Sequence, residues 1–165
     1  MRISRLLLIS ALLALLGGVS LSARAADDAI KLTSIAQVEV EVTGKDGKKT
    51  FALAPVEKAV PGTEVIYTTT FENRINKAAS NIVISNPIPE HTKYTAGSAF
   101  GKDCEILFSA DGGKSFAAAE KLKIKDANGV ERTALPKEYT DIRWIYKGQL
   151  APGKSGEVGF RSVIK

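Results

Sequence analysis

The chain has 165 residues, with 23 Lys and Arg against 18 Asp and Glu, and one each of Cys, His, Trp and Met. A lone cysteine excludes an internal disulfide framework, and with a lone histidine it excludes the four-ligand zinc sets. At 44% hydrophobic and 25% charged residues the composition is that of a globular chain, not a disordered one.

Residues Met1–Ala25 read as a secretory signal peptide. Arg2 and Arg5 give the positive start, Leu6–Leu16 is an almost unbroken apolar run, and Ala23-Arg24-Ala25 offers the small-x-small cleavage site. The run is short of the roughly 20 residues a membrane span needs. No cysteine follows it, so a lipid anchor is not indicated. Cleavage after Ala25 leaves residues 26–165 as one domain by size, large enough to fold without a disulfide or metal staple. Arg2, Arg5 and Arg24 leave with the leader, so 20 basic residues face 18 acidic ones and the net charge falls to about +2. Basic residues are scattered, which excludes a nucleic-acid footprint. The mature form is expected to carry no membrane span.

After a frayed start at Ala26–Ala29, the even positions Ile30, Leu32, Ala36, Val38, Val40 and Val42 are apolar around Ser34, and most odd ones are polar. This two-residue period predicts a strand with a dry face and a wet one. Gly44-Lys45-Asp46-Gly47 predicts a hairpin turn, and Lys48–Ala54 the returning strand, ended by Pro55. Pro61-Gly62 marks another turn. In Thr63–Glu72, Val65, Tyr67, Thr69 and Phe71 alternate with Glu64, Ile66, Thr68 and Thr70, again a strand. The polar stretch Asn73–Lys77 ends it, and Ala78–Ser85 resumes with Ile82 and Ile84 on one face and Val83 on the other. At Asn86-Pro87-Ile88-Pro89 the chain is expected to leave the ladder, because proline has no N–H to donate.

The Pro-Gly-x-x-Val-x-Tyr-Thr of Pro61–Thr68, the following Asn73, and Ala-Ser-Asn-Ile-Val-Ile-x-x-Pro-Ile-Pro at Ala79–Pro89 resemble the bacterial conserved-repeat domain known as domain of unknown function 11. Trp144, the Gly-x-Leu-Ala-Pro-Gly-x-Ser-Gly of Gly148–Gly156 and the closing strand Glu157–Ile164 are similar to the end of the same pattern. The likeness runs from about Ile30 to the C-terminus. Asn86 departs from it, standing where the family has Asp, and Lys102–Thr140 is longer than the usual repeat. The resemblance implies an immunoglobulin-like antiparallel β-sandwich of secreted or surface proteins, without enzymatic activity.

Further along, Thr95–Phe100 and Cys104–Ser109 read as short strands flanking Gly101. Ser109–Phe116 resembles an Asp-box, a hairpin in which the Asp caps amides of its own turn; one copy cannot build a propeller, so a tight hairpin is expected. Lys121–Lys125 turns back through Asn128-Gly129. Tyr139–Tyr146 alternates, and the last strand places Val158, Phe160 and Ile164 on one face. Some nine or ten short strands with no helical periodicity predict an all-β sandwich.

Residues that could carry chemistry are few. His91 lies in a loop with no second His or Cys nearby, which reads as a solvated residue. Cys104 has acidic neighbours that disfavour a thiolate; packing is the first expectation, with an intermolecular disulfide the other. Trp144 is expected in the inter-sheet core. Arg143, Lys147, Arg161 and Lys165 read as a solvated strand face. No Gly-x-Ser-x-Gly elbow or calcium loop is present. The expectation is therefore a non-enzymatic module with no catalytic, cofactor or metal residues, acting by protein–protein contact in the periplasm, on the cell surface or outside the cell, with envelope or surface proteins as partners. A carbohydrate- or polymer-binding sandwich is the alternative, and a hydrolase without a visible motif a distant third. The Ile30–Val42 strand has two routes open: pairing in its own sheet, or donation to a neighbouring copy as a route to self-association.

Overall fold

A computed structural model describes residues 29–58 and 60–165. The expected signal peptide, residues 1–25, lies outside them.

The described chain is all-β. Eleven strands follow in order: β1 Ile30–Thr43, β2 Lys49–Pro55, β3 Glu64–Asn73, β4 Val83–Pro87, β5 Thr92–Tyr94, β6 Phe100–Gly101, β7 Cys104–Ser109, β8 Lys123–Lys125, β9 Glu131–Thr133, β10 Asp141–Tyr146 and β11 Ser155–Ile164. They pair antiparallel throughout. The larger sheet runs β2-β1-β3-β11-β5, with β6 also on β11; the smaller runs β4-β10-β7, and β8-β9 forms a separate hairpin. The two sheets face each other as a β-sandwich.

The core follows from alternation in the central strands. Val65, Thr69, Phe71 and Asn73 of β3 and Val158, Phe160 and Ser162 of β11 are buried. Of these, Phe71, Val158 and Phe160 share one apolar cluster with Ile84 of β4, Ile142 and Trp144 of β10 and Phe108 of β7. Trp144 is 0% exposed. Removing so large a side chain from water contributes about 4–6 kcal/mol of transfer free energy. The Tyr67 and Phe160 rings stack at 5.1 Å, and Phe108 and Tyr139 meet at 4.6 Å. Gly159 lets Phe100 lie across β11, since a Cβ there would sit 2.6 Å from the Phe100 ring.

Three sequence expectations need correction. Thr95–Phe100 is not a strand: Gly97 adopts φ +75°, the Ser98 amide donates to the Thr95 carbonyl at 3.1 Å, and only Phe100–Gly101 pairs with β11. Pro87 does not leave the ladder but pairs with Asp141. The Tyr146 N–H donates to Ile82 O and the Ile88 N–H to Thr140 O. By alternation Pro87 then turns its nitrogen to the unpaired side of β4, where proline is tolerated. The third correction concerns β1, whose apolar face is not dry: Leu32, Val40 and Val42 are exposed.

Candidate interaction surface

The reason for that exposure is a mismatch between the layers. β1 pairs with β3 only through Ile30–Gln37; Gln37 also meets Pro55 of β2, and from Val38 to Thr43 the strand pairs with β2 alone. Its second half and β2 thus form a two-stranded ribbon beyond the reach of β3. The turn follows from its residues: the Gly47 amide donates to Gly44 O at 2.9 Å, the Gly44 amide to Lys48 O at 2.8 Å, and Gly47 takes the left-handed φ of +78°.

Both faces of the ribbon carry apolar side chains. Val38, Val40 and Val42 share one face with Ala52 and Ala54, while Phe51 and Leu53 lie opposite Glu41 and Glu39 on the other. Phe51 is 73% exposed and Leu53 53%. The charges beside them are already paired: Lys49 with Glu41 at 2.7 Å, and Glu39 with Arg161 at 2.8 Å, while Arg161 also holds Glu64 at 3.0 Å. A two-stranded ribbon with apolar side chains on both faces and an unpaired edge is a pairing surface that isolated domains normally blunt.

The inner face of β1 before the ribbon is also open, because β4 is the edge of the smaller sheet. Two hollows of about 400 and 290 Å³ follow one another there, the first along Ile30, Leu32 and Ile82, the second along Ser34, Ala36 and Asn86. A polar clasp marks the second: Asn86 Nδ2 donates to Thr69 Oγ1 at 2.8 Å, and Thr69 Oγ1 meets Ser34 Oγ at 2.8 Å. The Asn86 amide works here as a donor that ties the sheets together.

The residues expected to carry chemistry are not brought together. His91 is exposed in a tight turn at φ +62°, and among the described residues no three His, Cys, Asp or Glu form a group fit for a metal. Cys104 is half-buried; burial, then the Asp103 charge, pushes its thiol up, away from a reactive thiolate. It borders a hollow of about 500 Å³ where Lys147 pairs with Glu105. The basic residues do not share a face. Arg161 belongs to β11 in the larger sheet, whereas Arg143 in β10 donates to Ser85 Oγ at 3.0 Å and covers the Phe116 ring at 3.6 Å from its centroid.

The Asp-box forms the expected hairpin. Asp111 accepts the amides of Lys114 at 3.1 Å and Ser115 at 3.0 Å, as well as the Ser115 hydroxyl at 2.6 Å. The Ser115 bonds, with the Ser109 hydroxyl, hold its carboxyl far below the usual range. The motif is structural. An apolar cavity of about 270 Å³ lies beside Tyr94, Phe108 and Tyr139, whose rings pack on one another in the core. Burial pushes the Tyr139 phenol up, with a smaller push from Tyr94.

The ribbon was only half legible in the sequence. β2 reads there as a short return strand, yet Phe51, Ala52, Leu53 and Ala54 leave it no polar face. That run is the signal that could have marked it as a contacting strand. No family model, curated protein or solved structure matches the chain.

Proposed function

We propose that the protein is an exported, immunoglobulin-like module of the cell envelope or cell surface that works by protein–protein contact, without catalysis, through its β1–β2 ribbon. The observation that carries this is the exposure of Phe51 and Leu53 on a ribbon whose outer edge is unpaired among the described residues. Main-chain groups on such an edge supply affinity, and alternate side chains supply selectivity. Export rests on the Arg2–Ala25 leader pattern, and the immunoglobulin likeness on the Pro61–Pro89 and Trp144–Ile164 motifs.

Glycan binding is the weaker reading. A sugar platform wants aromatic rings gathered on an exposed face, whereas Tyr67, Tyr94, Phe108, Tyr139, Trp144 and Phe160 pair with one another across the interior, and Phe71 pairs with Tyr146. Phe51 and Phe100 are exposed singly. A hydrolase is the third reading, and the chain's one histidine, His91, is exposed in a tight turn.

The test is affinity capture from envelope extract with the full-length protein and with Phe51→Lys/Leu53→Lys, both first checked for equal thermal midpoints. Loss of specific partners in the double variant is the expected result. Identical captures by both proteins would remove the ribbon from the account.

A further inference from the structure

We propose that β2 pairs antiparallel with β2 of a second copy, about a two-fold axis through Ala52. The pairing rests on the contact function proposed above and names one partner for it.

The phase of the hairpin decides the register. Because the Gly44 amide bonds to Lys48 O, residues 42, 40 and 38 of β1 exchange main-chain bonds with Thr50, Ala52 and Ala54. Lys49, Phe51, Leu53 and Pro55 therefore turn their main-chain groups to the unpaired edge. Only a two-fold through Ala52 pairs all four of these positions with one another. Phe51 then faces Leu53 of the other copy twice over, and about six new main-chain bonds form. Pro55 fits this register: it lacks an N–H but its carbonyl accepts from Lys49 of the other copy, and it ends the ladder there. No like charges are opposed, since Lys49 meets Pro55 and is already neutralised by Glu41. Phe51 and Leu53 from both copies merge into one apolar cluster on the wet face, while Val40 and Ala52 from both copies extend the apolar strip on the opposite face. The seven-residue edge buries less than the roughly 1,000 Å² of a stable complex, so the dimer is weak and concentration-dependent. A two-fold pairing closes at two copies, unlike docking of the ribbon in the open β1–β4 groove, which would propagate.

The register is tested in full-length protein with Ala52→Cys on a Cys104→Ser background. Directly opposed, non-hydrogen-bonded residues have Cα atoms about 4.5 Å apart, within disulfide reach. Under oxidising conditions Ala52→Cys is expected to give a cross-linked dimer, whereas Thr50→Cys, which faces Ala54 of the other copy, is not. Sedimentation of the wild-type chain should show monomer and dimer only, with Phe51→Lys/Leu53→Lys shifting the equilibrium at least about tenfold towards monomer. Monomer alone up to millimolar concentration, an uncross-linked Ala52→Cys, or a series growing past the dimer would each overturn the pairing. If the chain stays monomeric while capture of other proteins still depends on Phe51 and Leu53, the pairing fails and the contact function stands.

Discussion

Asn73 and Leu150, 77 residues apart in the chain, are joined by a 2.7 Å bond from Asn73 Nδ2 to the Leu150 carbonyl. The same amide nitrogen donates to Lys77 O at 2.7 Å, and Asn73 Oδ1 accepts the Ile75 amide at 3.1 Å. One fully buried side chain thus ties the turn after β3 to the turn before β11. Asn73→Ala leaves buried groups unpaired and should cost about 2–4 kcal/mol. Asn73→Asp should cost as much or more, because both donated bonds are lost and a charge is buried. Urea unfolding checks both; midpoints within error of wild type would show the bonds to be dispensable.

Trp144→Ala should cost about 3–5 kcal/mol, because its indole fills the space between the sheets. Trp144→Phe should cost clearly less. Nε1 has no hydrogen-bond partner among the described residues, so the ring loses volume but no bond. Equal losses in the two variants would mean that the indole nitrogen matters.

Acid stability should depend on Asp111 and Glu138. The bidentate bond from Arg132, with the Leu135 amide, holds the Glu138 carboxyl down at about 2, and Asp111 is lower still. Both pKa values are depressed on folding, so their stabilisation is present above about pH 4, where the unfolded carboxyls ionise. It is lost as pH falls from there towards 2. Denaturation midpoints measured from pH 6 to 2 should fall less steeply in Asp111→Asn and Glu138→Gln than in wild type. Parallel profiles would show that these bonds do not differ between the folded and unfolded states.

Cys104 should react slowly with maleimide at neutral pH, since burial and Asp103 disfavour its thiolate. Adding reductant, or Cys104→Ser, should leave the sedimentation pattern unchanged. A dimer that disappears with either treatment would assign the contact to a disulfide instead.

Strands with a strict two-residue period were legible wherever both neighbours are in the same sheet, as in β3 and β11, and so was the interior place of Trp144. The Gly44–Gly47 turn, the Asp111 hairpin and the Gly129 turn were legible from turn chemistry alone. Burial was the harder question. Val40 and Val42 continue the period of Ile30–Val38, but alternation says only that a strand has two faces, not whether a second sheet covers either. The smaller sheet ends at β4, a fact of topology that no local pattern around β1 encodes. Buried Asn73 and Thr69 were equally hidden, because their partners at Leu150, Ser34 and Asn86 are remote in sequence. Pro87 stayed in its strand because the edge it faces is empty, which again depends on the neighbour and not on the proline.

The ribbon as contacting element is tested most directly by a photo-cross-linking amino acid placed at Phe51, at Leu53 and, as a control, at Val130 in full-length protein inside the cell that makes it. Val130 is 61% exposed, comparable with Phe51 and Leu53, but lies between β8 and β9, away from the ribbon. Discrete adducts from positions 51 and 53 and none from 130 are the predicted result. Adducts from 130 alone, or none from 51 and 53, would contradict it.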